Sequence, residues 1–219
     1  MRAKLPASNE NKTYAPIPAG THLARCVHIV DLGTQTTEYQ GESKTARKVR
    51  FTWETPSETA VFKEENGEQP FLVSKMLTLS LHTKSTMRKT IEAWLGRKLT
   101  AREESEGYDL FQLIGKECII NIVHNEVGDK VYANVDSISP VMKGMVCPPQ
   151  ITDPVFFSLE KGEYQPMTFE GFGDWLKEII MKSPEYAQVS KNDPKSPVAS
   201  LKQDENDDID LDEINFDTV

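Results

Sequence analysis

Between Arg47 and Glu54 apolar and polar residues alternate, so that Val49, Phe51 and Trp53 fall on one side of an extended chain and Lys48, Arg50 and Thr52 on the other. That period of two predicts a strand over "RKVRFTWET", ended by Pro56. It recurs in "FLVSKMLTLSLH", where Phe71, Val73, Leu77, Leu79 and Leu81 share one face and Met76, Thr78, Ser80 and His82 the other. Upstream, "THLARCVHIVDLG" is rich in β-branched and apolar residues and closes on Gly33, which predicts a first strand from about Thr21 to Leu32. The polar stretch "GTQTTEYQGESKTA" between the first two strands reads as a long loop. The period then changes. Met87, Ile91, Trp94 and Leu95 recur at helical spacing, with Ser85 able to cap the start and Gly96 the end. Thr100 and Glu103 form a capping box for a second helical piece, and "YDLFQLIG" adds an apolar turn closed by Gly115. Two further strands, "KECIINIVHNE" and "DKVYANVDSISP", are joined by the short turn "VGD".

Three strands, a helical insertion and two strands is the element order of an OB-fold, a mainly β, partly open five-stranded barrel. Such a barrel binds oligonucleotides on the outer face of strands two and three and through its loops one-two and four-five. The predicted organisation is an extended arm over 1–19, an OB-fold-like domain over 20–140, an extension over 141–190 and a disordered linker with acidic tail over 191–219. Within the extension, Phe156, Phe157, Tyr164 and Phe169 are expected to pack on the barrel. Its amphipathic helix "DWLKEIIMKS" places Trp175, Leu176, Ile179 and Ile180 on one side, and Pro184 stops it. Those residues either cap the barrel or form the contact of a homodimer. From about Lys191 the composition is too polar to offset the entropy of ordering.

Charge sharpens this picture. The chain carries 25 Lys and Arg against 34 Asp and Glu, a net charge of −9, but eight of the carboxylates lie after Gln203. Residues 1–203 therefore carry only −1, and the acidity is local. Cys26, Cys118 and Cys147 show no CxxC spacing and read as reduced thiols of a cytoplasmic protein. No run of about 18 apolar residues occurs, and "MRAKLPASNENK" lacks an apolar signal core, so neither membrane insertion nor export is expected.

The candidate chemistry is that of binding. There is no GxSxG, P-loop or GxGxxG, and His22, His28, His82 and His124 lack metal-ligand spacing, so no enzyme, metal or cofactor is expected. A groove for single strands needs cations along the phosphates and flat side chains for the bases. Tyr39, Lys44, Arg47 and Lys48 from the first long loop, Arg50 from the second strand and Tyr132 from the last supply such groups. Phe51 and Trp53, on the side of Val49, are assigned to the core. Lys84, Arg88, Lys89, Arg97, Lys98 and Arg102 flank the first helix and serve equally well as its polar face.

The end of the chain, "DDIDLDEINFDTV", sets Asp207, Asp208, Asp210, Asp212 and Glu213 ahead of Ile214 and Phe216. It resembles the tail of bacterial single-stranded-DNA-binding proteins and their phage counterparts, where an acidic run precedes Ile-Pro-Phe. Here Asn215 stands in the proline position, and Asp217, Thr218 and Val219 follow the phenylalanine. The body is similar to a family of phage replication and recombination proteins that bind single-stranded DNA. The stretches "DLGTQ", "FTWE", "LSLHTKSTMRKTIEAWLGRKLT", "LIGKECIINIVHN" and "YANVDSISP" carry that likeness across most of residues 15–185. The resemblance implies a phage protein of the host cytoplasm that coats exposed strands during replication or recombination. Its tail would both compete for the DNA groove and recruit replication or recombination proteins. An acidic interaction or DNA-mimic protein, binding a host enzyme without touching nucleic acid, is the alternative.

Overall fold

The computed structural model describes residues 15–39, 41–128 and 130–192, without the side chains of Tyr39 and Asn192. The chain is mainly β. Among the described residues six strands form one antiparallel sheet that is not closed: β1 (Gly20–Tyr39), β2 (Glu42–Lys63), β3 (Gly67–Thr78), β4 (Glu117–Val127), β5 (Lys130–Ser139) and β6 (Val155–Phe157). Their order is β3-β2-β1-β4-β5, and β6 pairs with β1. Five α-helices accompany them among the described residues: α1 (Thr86–Leu95), α2 (Ala101–Glu106), α3 (Pro166–Glu170), α4 (Asp174–Met181) and α5 (Pro184–Val189).

Three expectations are corrected. Pro56 does not end the second strand, which runs on through it to Lys63. The sheet has a sixth strand, only three residues long, and the long polar "loop" after Gly33 is instead the paired ends of β1 and β2. β-branched residues hold that hairpin, with the Thr36 and Thr45 hydroxyls 3.4 Å apart and the Thr37 hydroxyl donating to the Lys44 carbonyl at 3.3 Å. Both of its faces are largely exposed, so no apolar alternation marks it. Gly33 does not stop β1. Its φ of +68° and its missing side chain admit Ser183, whose Cβ would stand 2.4 Å from any Cβ placed on Gly33. Ser183 caps α5 there, accepting from the Tyr186 N–H at 3.1 Å.

The chain divides into two compact units. The first holds residues up to His28, Phe51–Lys75 and Leu81–Pro154. Its centre is an aromatic triad: Phe51 stacks on Trp53 with centroids 5.7 Å apart and meets Trp94 edge-on at 6.4 Å, and the two tryptophans are 5.8 Å apart. Phe51 and Trp53 are thus core residues, as their face of β2 predicts. β1 and β4 pair from Gly20↔Ile122 to Arg25↔Glu117. At the end of that ladder the Arg25 guanidinium bonds the Glu117 carboxylate at 2.8 Å and the Gly115 carbonyl at 2.9 Å. α1 packs on β5, capped by Ser85 and closed by Gly96 in the left-handed conformation. The Thr100–Glu103 capping box starts α2.

The second unit holds Ile29–Arg50, Met76–Ser80 and the chain from Val155. Val30 and Leu32 of β1 are buried with Phe157, Leu159, Phe169, Leu176, Ile180 and Tyr186. Aromatic contacts knit the extension, with Phe157 at 5.1 Å from Phe172 and Phe169 at 4.8 Å from Tyr186. Leu176 and Ile180 turn the apolar side of α4 into this core.

Candidate nucleic-acid interface

Polar residues on the outer face of β2 meet two different fates. In the first unit Thr52 and Glu54 are fully buried, although they stand on the side opposite Phe51 and Trp53. The Glu54 carboxylate accepts from the backbone N–H groups of Ile151 at 3.0 Å and Thr152 at 2.8 Å, and the Thr52 and Ser74 hydroxyls meet at 2.9 Å. A buried carboxylate demands such donors, because leaving it unpaired would cost several kcal/mol. Residues 151–152 therefore close this stretch of the face.

In the second unit the same face stays accessible. The Leu79 N–H donates to the Arg47 carbonyl at 2.8 Å, and in that register Thr78 lies beside Lys48 and Met76 beside Arg50. Lys48 donates to the Thr78 hydroxyl at 2.8 Å. The Arg50 guanidinium lies over the indole of Trp175, 5.7 Å from its centroid, and burial pulls its pKa down. Trp175 is 55% exposed. This corrects its assignment to the apolar side of α4: it sits at the edge of that face while Leu176 and Ile180 turn inward. Lys44 is exposed, 3.5 Å from Glu42.

Arg47 belongs to a different assembly. It pairs with Asp31 and, at 2.8 Å, with Glu160. The hydrogen bond to Asp31 raises its pKa above the usual guanidinium value. Asp31 also accepts from the Gly33 N–H at 2.9 Å and the Leu159 N–H at 3.2 Å, so this ion pair ties β1, β2 and the segment after β6 together. The guanidinium expected to meet a phosphate thus already has two carboxylate partners.

Of the other expected site residues, Tyr39 ends β1 and its side chain is not described. Tyr132 belongs to the first unit, half-exposed on β5 opposite Asn125. The tail residues Asp207 through Phe216, like Asp129 of the "VGD" turn, lie outside the described residues. The cations around α1 are mostly neutralised: Arg88 pairs with Glu92 and Glu104, Lys98 with Glu92, Arg97 with Glu103 and Arg102 with Glu106. Among the described residues only Lys84 and Lys89 of that cluster lack an ion pair.

The cysteines and three of the histidines are held by burial or by backbone carbonyls. Cys26, Cys118 and Cys147 are buried, and burial pushes each thiol above its ordinary pKa. His22, His28 and His124 bond the carbonyls of Pro18, Asp153 and Ile17. Among the described residues no three His, Cys, Asp or Glu are grouped to hold a metal ion, and no helix is long and apolar enough to cross a membrane. No protein-family model and no curated protein matches this chain.

Proposed function

We propose that this protein binds single-stranded DNA without catalysing its chemistry, and coats exposed strands during phage DNA replication or recombination. The observation that carries this reading is the strand order β3-β2-β1-β4-β5 with α1 and α2 between β3 and β4. It is the order of an OB barrel opened along the β3 and β5 edges. Lys75 of β3 reaches over that opening, its ammonium donating to the Val135 carbonyl at 2.7 Å and the Asp136 carbonyl at 3.2 Å. In an OB-fold the outer face of strands two and three takes the ligand. On this chain the accessible part of that face presents Lys48, Arg50 and Thr78, with Lys44 farther along β2. Cations so placed neutralise phosphates and release counterions.

A protein imitating DNA would spread unpaired carboxylates over its folded surface. Here residues 1–203 carry a net charge of only −1 and the excess of carboxylates lies in the tail, which favours the first reading. The acidic tail, in the proposal, recruits replication or recombination proteins through Ile214 and Phe216. Titration of the full chain into fluorescein-labelled oligo(dT) and into a duplex of equal length tests the function by anisotropy. Preferential, salt-sensitive binding of the single strand is expected; binding of neither, or equal binding of both, overturns the proposal.

A further inference from the structure

The chain has three tryptophans, and they are not alike. Trp53 and Trp94 are buried to within 1% in the aromatic triad, whereas Trp175 leaves 55% of its surface in solvent. α4 has already buried Leu176 and Ile180, so the exposed indole is not what anchors the helix. One side of the ring is occupied by the Arg50 guanidinium at 5.7 Å. Arg50 itself is anchored on β2, and burial lowers its pKa. A planar cation against one face of an indole fixes the ring's orientation. It leaves the rest of the exposed ring as a flat apolar surface.

The surroundings suit a nucleotide. Lys48 stands two residues from Arg50 on the same face, about 6.6 Å along the strand. Its ammonium is held by one neutral hydroxyl, that of Thr78, rather than by a carboxylate. It therefore keeps its charge for a phosphate while a base reaches the indole. Met76, 53% exposed and beside Arg50 in the strand register, adds a soft apolar wall. Every one of these residues lies in the second unit.

We infer that Trp175, backed by Arg50, is a stacking platform for one base of a single-stranded oligonucleotide, with Lys48 as the adjoining phosphate ligand. The inference rests on the proposed single-strand binding and assigns it a base-reading position in the extension. Stacking needs an unpaired base and accepts any of the four.

Tryptophan emission of the full chain, followed during titration with oligo(dT), reports on the platform, while a gel shift with the same oligonucleotide reports on binding. Quenching that saturates with the shift is expected, none is expected with a duplex of equal length, and Trp175→Phe should abolish the quench while retaining most of the affinity. Trp175→Ala should weaken binding by about 5- to 150-fold, the loss of one stacked base, with an unchanged Tm. A gel shift without quenching, together with wild-type affinity in Trp175→Ala, overturns the platform and leaves single-strand binding standing. If oligo(dT) shifts no form of the protein, both fall. If Trp175→Ala instead abolishes a sedimenting dimer and leaves oligonucleotide affinity untouched, the indole is a subunit contact and the platform is overturned.

Discussion

Trp53 and Trp94 share one aromatic cluster and the same near-complete burial, but differ in a single hydrogen bond. The Trp94 indole donates to the Glu117 carbonyl at 2.9 Å, while the Trp53 indole N–H is buried with no acceptor among the described residues. Replacing either by Phe removes the same atoms, so the loss of apolar contact largely cancels when the two variants are compared. In Trp94→Phe the Glu117 carbonyl loses its donor, and a buried polar group left unsatisfied costs about 1–3 kcal/mol. In Trp53→Phe a penalty of that kind, already present in the native protein, disappears. The lower ends of both ranges add to about 2 kcal/mol in favour of Trp53→Phe. We use the lower ends because the Trp94 bond is only part-buried. At about 2–4 °C per kcal/mol for a chain of this size, the two variants should melt roughly 4–8 °C apart. Urea denaturation followed by far-ultraviolet circular dichroism, with calorimetry alongside, measures the difference without relying on tryptophan emission. Equal stability, or a less stable Trp53→Phe, would refute the reasoning.

Replacing Lys44 and Lys48 together with Ala should flatten the log-log salt dependence of oligo(dT) affinity by about 1.4, or roughly 0.7 per phosphate contact on a single strand; an unchanged slope would move the groove elsewhere. The Glu103 carboxyl is held down to about 2 by the Arg97 guanidinium and then by the Thr100 N–H. A depressed folded pKa means that its support of α2 is complete above the ordinary carboxylate range and is lost as pH falls toward 2. Carbon-detected NMR titration should show this, and Arg97→Ala should return the carboxyl toward its usual value. Deleting residues 204–219 removes eight carboxylates and takes the net charge from −9 to −1. Oligonucleotide affinity should then rise at low salt, with a gain that shrinks as the Debye length falls from about 30 Å at 0.01 M to about 10 Å at 0.1 M. Replacing Ile214 and Phe216 with Ser in the full chain should leave that affinity intact and abolish pull-down of a partner.

Where one face of an element is buried, the sequence was readable. Val49, Phe51 and Trp53 alternate because their side of β2 lies in the core, and Ser85, Gly96, Thr100 and Glu103 delimit α1 and α2 by local chemistry that needs no tertiary context. The β1–β2 hairpin ends escaped notice because a strand exposed on both faces carries no period. Its threonines were the available signal. The burial of Glu54 has no local signal at all: it is polar and stands on the outward side, and its cover lies about 97 positions away. The cations follow the same division. Arg88–Glu92 and Arg102–Glu106 are i,i+4 pairs that spacing alone could have flagged, whereas the pairing of Arg47 with Glu160 depends on the folded chain. Trp175 was misplaced because a helical wheel groups it with Leu176, and the wheel cannot say how wide the buried stripe is.

The bond from Glu54 to Ile151 also sets a schedule for the newborn chain. Its two ends are 97 residues apart, and translation delivers about 5–20 residues per second, so on the order of 5–20 s pass between the emergence of the carboxylate and that of its donor. Throughout that interval Glu54 must keep its hydration shell, and β2 cannot adopt its final surroundings on that side. Any nascent chain stalled before Thr152 therefore carries a Glu54 carboxylate still lacking its full set of backbone donors, beside a strand face that native packing has yet to cover.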